Sequence, residues 1–329
     1  MEALEHLWHF KTLVVKCCSD ITSLPESLFR LPSLTNLTLD MPRLSVLPDE
    51  IGHLSKLHTL VLDLKELAML LDSIALLTTL QELALDNLYN LRSLPADLGQ
   101  LNALEKLRLN SLRELTRLPK SFGQMTALQE LKILECWLLQ ELPDSLSQLS
   151  SLEHLEINNC PSFSVLPDEM GNGNFWELSS LQELVLLGLK QVRSLPESFA
   201  KLPKLQVLLV TACNKLVRVP SSIRRMPTLR EFDISECPSL PWRDRRGLRG
   251  RENKEDEEEG EEVAVDEEEE EGGEEAEDEE GGDVAGEGEE ADGEEEGAES
   301  GGEDWGINHE YGLGSEDDGW RAGDDDDEE

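Results

Sequence analysis

From residue 10 to residue 240 the apolar positions keep a single rhythm. The stretch 128-LQELKILECWLLQELPDSL-146 reads Leu-x-x-Leu-x-Ile-x-x-Cys-x-x-Leu-x-x-Leu-Pro, and 10-FKTLVVKCCSDITSLPESL-28, 152-LEHLEINNCPSFSVLPDEM-170 and 205-LQVLLVTACNKLVRVPSSI-223 repeat its spacing. The Leu-Pro step, or its equivalent, falls at Leu24, Leu47, Leu70, Leu94, Leu118, Leu142, Leu166, Leu195 and Val219, at intervals of 23, 23, 24, 24, 24, 24, 29 and 24 residues. A period of this size marks a chain built from one supersecondary unit used many times. Ten units can be counted, the last running through 229-LREFDISECPSL-240.

Within each unit the Leu-x-Leu core alternates apolar and polar residues, the period of a strand with one buried face. Leu131 and Ile133 are expected inward, with Glu130, Lys132 and Leu134 outward. Strands stacked in parallel at about 4.8 Å give a sheet about 50 Å along its arc. The Leu-Pro pair then reverses the chain, because proline has a fixed φ and no N–H and suits the first position of a short helical turn. Acidic residues follow it in Pro25-Glu-Ser, Pro48-Asp-Glu, Pro143-Asp-Ser, Pro167-Asp-Glu and Pro196-Glu-Ser, where they complement the helix dipole. Phe122, Met125 and Leu128 then close the opposite side.

The full pattern, LPx[SE][LI]xxLxxLxxLxLxxCxxLxxLP, resembles the leucine-rich repeats of plant intracellular immune receptors of the nucleotide-binding class. It is also similar to the repeats of plant Ras-group scaffolds. The resemblance spans about residues 4–240 and implies an α/β solenoid, a horseshoe of about ten 23–24-residue repeats with a parallel concave sheet. It also implies protein recognition on the concave face, without catalysis, in defence signalling. Two departures stand out. The Gly-x-Ile-Pro step of plant cell-surface receptors is missing, and so is any GxxxxGK[ST] phosphate loop, the nucleotide switch of the intracellular ones. The chain also begins mid-repeat, with Leu4, Leu7 and Phe10 expected at convex positions and no separate cap. That leaves open a receptor fragment, a truncated gene product or a stand-alone protein.

Cys18, Cys136, Cys160, Cys213 and Cys237 all lie three residues past the second strand position, where other repeats carry Leu88, Leu112 or Leu189. A position that takes Cys or Leu is a small buried slot, in which a free thiol behaves as a small hydrophobe. Metal ligands would have to converge on a point, whereas these are strung along an axis. Cys136/Cys160 and Cys213/Cys237 sit in adjacent repeats, close enough to consider bridging, but a reducing compartment argues against it. The histidines are scattered, and no nucleophile has a base at a recognisable spacing. The expectation is therefore no catalytic site, no metal, no cofactor and no small-molecule substrate.

Between the two strand leucines the outward residues are Val14, Thr38, Val61, Ala84, Arg108, Lys132, Glu156, Val185, Leu209 and Asp233. One column earlier come Lys106, Glu130, His154 and Glu183; one column later come Asn110, Leu134, Asn158 and Leu187. Apolar residues such as Leu134, Val185, Leu187 and Leu209 on an exposed sheet face suggest a contact surface. The candidate partner-binding set is Lys106, Arg108, Glu130, Lys132, Leu134, His154, Glu156, Val185, Leu187 and Leu209. Arg108 and Lys132 would take acidic groups, and the leucines would form the dry centre. Phe175 and Trp176, in the long seventh interval, are expected to fold back onto the convex turns.

Charge divides the chain. Residues 251–329 hold 41 Asp/Glu and 3 Lys/Arg, or 3 − 41 = −38 of the −42 total, which leaves −4 for residues 1–250. Two segments are expected: a solenoid over 1–243, and a basic linker with a disordered Glu/Asp/Gly-rich tail over 244–329. Such a tail suits basic proteins such as histones and repels nucleic acid. The five arginines from Arg243 to Arg251 read as a linker or as a nuclear import signal. No apolar run approaches 18 residues, and MEALEHLWHFK has no signal-peptide core. A cytoplasmic protein with a route to the nucleus, not held in a membrane, is the expectation.

Overall fold

The computed structural model describes residues 8–16, 18, 20–166 and 178–241. The chain divides into two units, residues 1–260 and 261–329, and every described residue lies in the first. Leu4, Leu7, Phe175, Trp176, the Arg243–Arg251 cluster and the acidic tail lie outside the described residues.

Each repeat's alternating core forms a strand: β1 Thr12–Lys16, β2 Asn36–Asp40, β3 Thr59–Asp63, β4 Glu82–Asp86, β5 Lys106–Asn110, β6 Glu130–Leu134, β7 His154–Asn158, β8 Glu183–Leu187, β9 Val207–Thr211 and β10 Glu231–Asp233. All pair in parallel, in chain order, in one sheet. Register is strict: Leu107 pairs with Leu131, Leu131 with Leu155 and Leu155 with Leu184. Even across the 29-residue step the register holds, with His154 paired with Glu183 and Asn158 with Leu187. Inward strand residues from Leu37 to Ile234 are at most 2% exposed. Where each strand begins, one carbonyl of the preceding repeat accepts two N–H groups, as Gln129 O does from Glu153 and His154 at 2.8 and 3.0 Å.

The Leu-Pro steps lead into short 3₁₀ turns, such as Glu26–Arg30, Asp49–His53, Lys120–Gln124, Asp144–Gln148 and Glu197–Lys201. Proline sits one place earlier than the sequence suggests. Its backbone is extended, φ −68° and ψ 150° at Pro119, and its carbonyl opens the turn by accepting Phe122 N at 3.1 Å. Adjacent turns press together. Gly123 donates its N–H to Ser145 Oγ at 3.3 Å, and a Cβ at Gly123 would lie 2.2 Å from the Ser145 carbonyl oxygen. Phe10, expected at a convex position, is 47% exposed, because no earlier turn covers it among the described residues.

The intervals of 23 and 24 residues have a structural cause. In the 24-residue repeats, the residue two places past the second strand apolar position adopts left-handed backbone: Asn87, Ser111, Glu135, Asn159 and Ala212, with φ from 52° to 58°. Gly188, in the 29-residue step, and Glu236, in the last repeat, do the same. The N–H of this residue continues the ladder, as when Glu135 N donates to Asn158 O at 2.9 Å. The two 23-residue repeats omit it, so Met41 and Leu64 enter the core one residue sooner, both fully buried. Left-handed backbone costs an L-residue about 1–2 kcal/mol, so the extra residue is held there by its hydrogen bond and by the slot side chain that follows.

Cys136, Cys160, Cys213 and Cys237 fill that slot, buried and in no disulfide, while Cys18 is half-buried. Each buried thiol has two main-chain carbonyls within reach of its one S–H, for Cys136 Leu134 O at 3.5 Å and Leu109 O at 3.8 Å. The neighbouring thiol of Cys160, together with burial, pushes the Cys136 thiol well up, and Cys237 with burial does the same to Cys213. The Cys136 side chain in turn holds the Cys160 thiol below its ordinary value, and all four pack in the core beside backbone acceptors.

Leu131→Ala should lower unfolding stability by about 2–5 kcal/mol, measured by denaturant titration. By the same measurement Ala212→Val should cost about 1–3 kcal/mol, because a β-branched residue resists left-handed backbone, whereas Ala212→Gly should cost nothing. Equal losses for both substitutions would refute the backbone explanation of the 24-residue interval.

Candidate functional site

Strict register brings residues of the same repeat position into straight rows across the sheet. The predicted set therefore occupies one continuous face: Lys106 and Arg108 on β5, Glu130, Lys132 and Leu134 on β6, His154 and Glu156 on β7, Val185 and Leu187 on β8, Leu209 on β9. Leu134, Leu187 and Leu209 are half-buried on this face. Val185 differs from expectation. It is only 5% exposed, because its short β-branched side chain stands between the longer Glu156 and Leu209 of the flanking strands.

The charges are largely paired within the face. Arg108 forms an ion pair with Asp86 of β4, which is 8% exposed. Lys132 Nζ lies 2.7 Å from Glu130, and Lys106 Nζ lies 4.0 Å from the same carboxylate. Burial pushes Glu130 up, but its hydrogen bond from Lys132 prevails and holds it below the usual carboxylate range. His154 sits between two acids, Nδ1 2.9 Å from Glu183 and Nε2 3.9 Å from Glu156. Glu156 raises the histidine pKa, burial opposes it, and Glu183 adds to the rise. In return His154 holds the Glu156 carboxyl below its ordinary value. Arg108 and Lys132, expected to meet a partner's acidic groups, are thus already engaged.

A shallow cavity of about 170 Å³ opens where Ala84 leaves room, lined by Glu82, Lys106, Arg108, Glu130 and Lys132. Asp86 and Glu82 belong to this site, and the sequence reading did not assign them. Their signal lies in the repeat spacing, since Glu82 shares a row with Lys106 and Asp86 with Asn110, on either side of the Ala84–Arg108 row. Toward the N-terminal strands Asp40, Asp63 and Asp86 stand in one row. Burial, with Asp40 and Asp86 nearby, pushes the Asp63 carboxyl up, while a 2.9 Å hydrogen bond from Asn87 Nδ2 opposes it. Among the described residues no group of three or more His, Cys, Asp or Glu could hold a metal ion. Nor is any helix there long and apolar enough to cross a membrane.

The family described as "Leucine-rich repeat region" matches residues 1–162, and those residues form the first seven strands of the described sheet. The described body has the leucine-rich-repeat fold. Comparison with curated proteins gives no match. Among solved structures, it is similar to a leucine-rich-repeat protein of Leptospira interrogans, with 29% identity and a TM-score of 0.60, covering 73% of this chain and 57% of that one. It is likewise similar to the leucine-rich-repeat domain of the type III effector XopL, at 25% identity and TM-score 0.52, covering 73% and 75%. A structure of the Drosophila Toll–Spatzle complex shares the fold, at 19% identity and TM-score 0.51, covering 67% of this chain and 29% of the other. The chain therefore spans a little over half the length of its Leptospira relative.

The raised His154 pKa gives a pH signature. Protonated His154 stabilises the fold through its two carboxylates. That contribution is fully present below the unfolded histidine pKa of about 6.5 and fades as pH rises through the higher folded value. The Glu156 share is lost at the acid end, as pH falls through its lowered pKa. Wild type should therefore exceed His154→Gln in urea midpoint by more at weakly acidic pH than in mild alkali. A difference that is flat, or grows with pH, would contradict the assignment.

Proposed function

We propose that this protein is a non-catalytic recognition module or scaffold of the defence-signalling type, taking a protein partner on the exposed face of β5–β9. The observation that carries the reading is the composition of that face. A charged centre, Lys106, Arg108, Glu130, Lys132, His154 and Glu156, is bordered by half-buried Leu134, Leu187 and Leu209. Apolar contact area with charged groups around it is how interfaces combine affinity with choice of partner. The resemblance of the repeats to those of plant intracellular immune receptors supports the signalling role. The Toll–Spatzle complex is an instance of this fold in a protein complex. A cytoplasmic location follows from the same reading, with the nucleus added if Arg243–Arg251 acts as an import signal.

A second reading rests on one observation, the −38 charge of residues 251–329 (3 − 41). It makes the protein an acidic-tailed carrier that binds basic proteins such as histones, in the manner of a chaperone.

The two readings separate on binding. Partners would be captured with the full chain, with residues 1–243, and with Arg108→Glu/Lys132→Glu in the full chain, melting curves serving as the fold control. Under the first reading a partner is retained by residues 1–243 and lost, by tenfold or more in affinity, with the double reversal. Unchanged affinity would remove the sheet face from consideration. Under the second, binding follows the tail and fades as salt shortens the reach of exposed charge to below about 8 Å.

A further inference from the structure

The Arg113 guanidinium is stacked in place by its neighbours without a counter-charge among the described residues. Tyr89, Arg113 and Trp137 occupy the same position in three successive repeats, each directly after a slot residue, Leu88, Leu112 and Cys136. Stacking places the Arg113 guanidinium 4.3 Å from the Tyr89 ring centroid and 4.4 Å from that of Trp137. The Tyr89 ring is itself anchored, its hydroxyl donating to Asn87 Oδ1 at 3.2 Å. Arg113 Nε is buried with no acceptor, and no carboxylate pairs with Arg113 among the described residues. The nearest acids in sequence are otherwise engaged: Glu114 faces Arg92 at 4.0 Å, and Glu135 Oε2 accepts Ser111 Oγ at 3.0 Å.

We propose that the Tyr89–Arg113–Trp137 stack is a preorganised receptor for a carboxylate, an Asp or Glu side chain that a protein partner presents beside an apolar residue. Both faces of the guanidinium are covered by rings and Nε is buried, so the Nη1/Nη2 end of the fork is the edge left for a partner. A planar carboxylate matches that edge with two parallel hydrogen bonds. A single guanidinium with acids at Glu114 and Glu135 balances one negative charge and disfavours a phosphate dianion. The apolar neighbour is called for by Trp137 and Leu138, 43% and 41% exposed. Trp, Tyr and Arg are the residues that dominate interface energetics, and a side chain fixed before binding loses little freedom on binding. The next repeats carry Pro161 and Lys190 at this position, so the stack is confined to three repeats. The proposal stands whichever partner the sheet face takes.

The test is a nuclear magnetic resonance titration of the full chain in about 0.15 M salt, which limits long-range repulsion from the acidic segment. The probes are a capped Leu-Glu-Leu peptide, its Leu-Gln-Leu counterpart and inorganic phosphate. The signals are the Trp137 indole N–H, assigned with Trp137→Phe, and the Arg113 Nε–H. The Glu peptide should shift both saturably, and the Gln peptide at least tenfold more weakly. Arg113→Lys, which keeps the charge but not the planar fork, should weaken Glu-peptide binding by a similar factor, as read at Trp137. Lys56→Gln, an exposed cation on a distant repeat, should change nothing. Equal response to the Glu and Gln peptides, displacement by an equal concentration of phosphate, or wild-type affinity in Arg113→Lys would overturn the proposal, as would the absence of any shift at millimolar peptide. If Arg113→Lys does not fold, the comparison of Glu and Gln peptides on the wild-type chain decides alone.

Discussion

Each strand of this protein hydrogen-bonds to the next with no stagger, and every larger feature depends on that register. Parallel strands about 4.8 Å apart place Leu107, Leu131, Leu155 and Leu184 in one line. A slip of one residue would turn all the inward leucines outward. The ladder tolerates insertions only where they can leave it. The left-handed residue of the 24-residue repeats is one such exit, since it lengthens the loop by one residue while its N–H still finds the next strand's carbonyl. Across the 29-residue step β7 and β8 pair in the same full register.

Register also governs the surface. Rows of equal positions convert a one-dimensional sequence into columns of charge, and adjacent columns neutralise one another. Asp86, Arg108, Lys132, Glu130, His154 and Glu183 form such a chain of pairs across β4 to β8. Partly exposed pairs of this kind contribute at most about 1 kcal/mol each. Their larger effect is on recognition. A partner's charge must compete with an existing counter-ion, so the face selects against simple polyions and favours partners that also cover Leu134, Leu187 and Leu209.

Arg113 behaves differently because its repeat position is filled by aromatic rings in the neighbouring repeats, not by acids. Stacking gives it a fixed orientation without neutralising it. The same geometric rule thus yields a neutralised face on the strands and an unpaired cation beside them. Which of the two arises depends only on what the adjacent repeats carry at one position.

The repeat length, the strand positions, the inward leucines and the structural role of the cysteines were all legible in the sequence, because a solenoid uses local spacing as its folding code. Membership of one face was legible for the same reason: residues two apart on a strand share a side, and equal repeat positions share a row. What the sequence alone left open were properties of side-chain reach between repeats. Val185 looked exposed by its alternation, yet neighbours on two other strands cover it. Arg108 and Lys132 looked available, yet Asp86 and Glu130 hold them. Tyr89, Arg113 and Trp137, 24 residues apart in turn, become one object only when the repeats stack. Local spacing fixes where a backbone goes; burial, pairing and charge depend on atoms that only the tertiary structure brings within a few ångströms of one another.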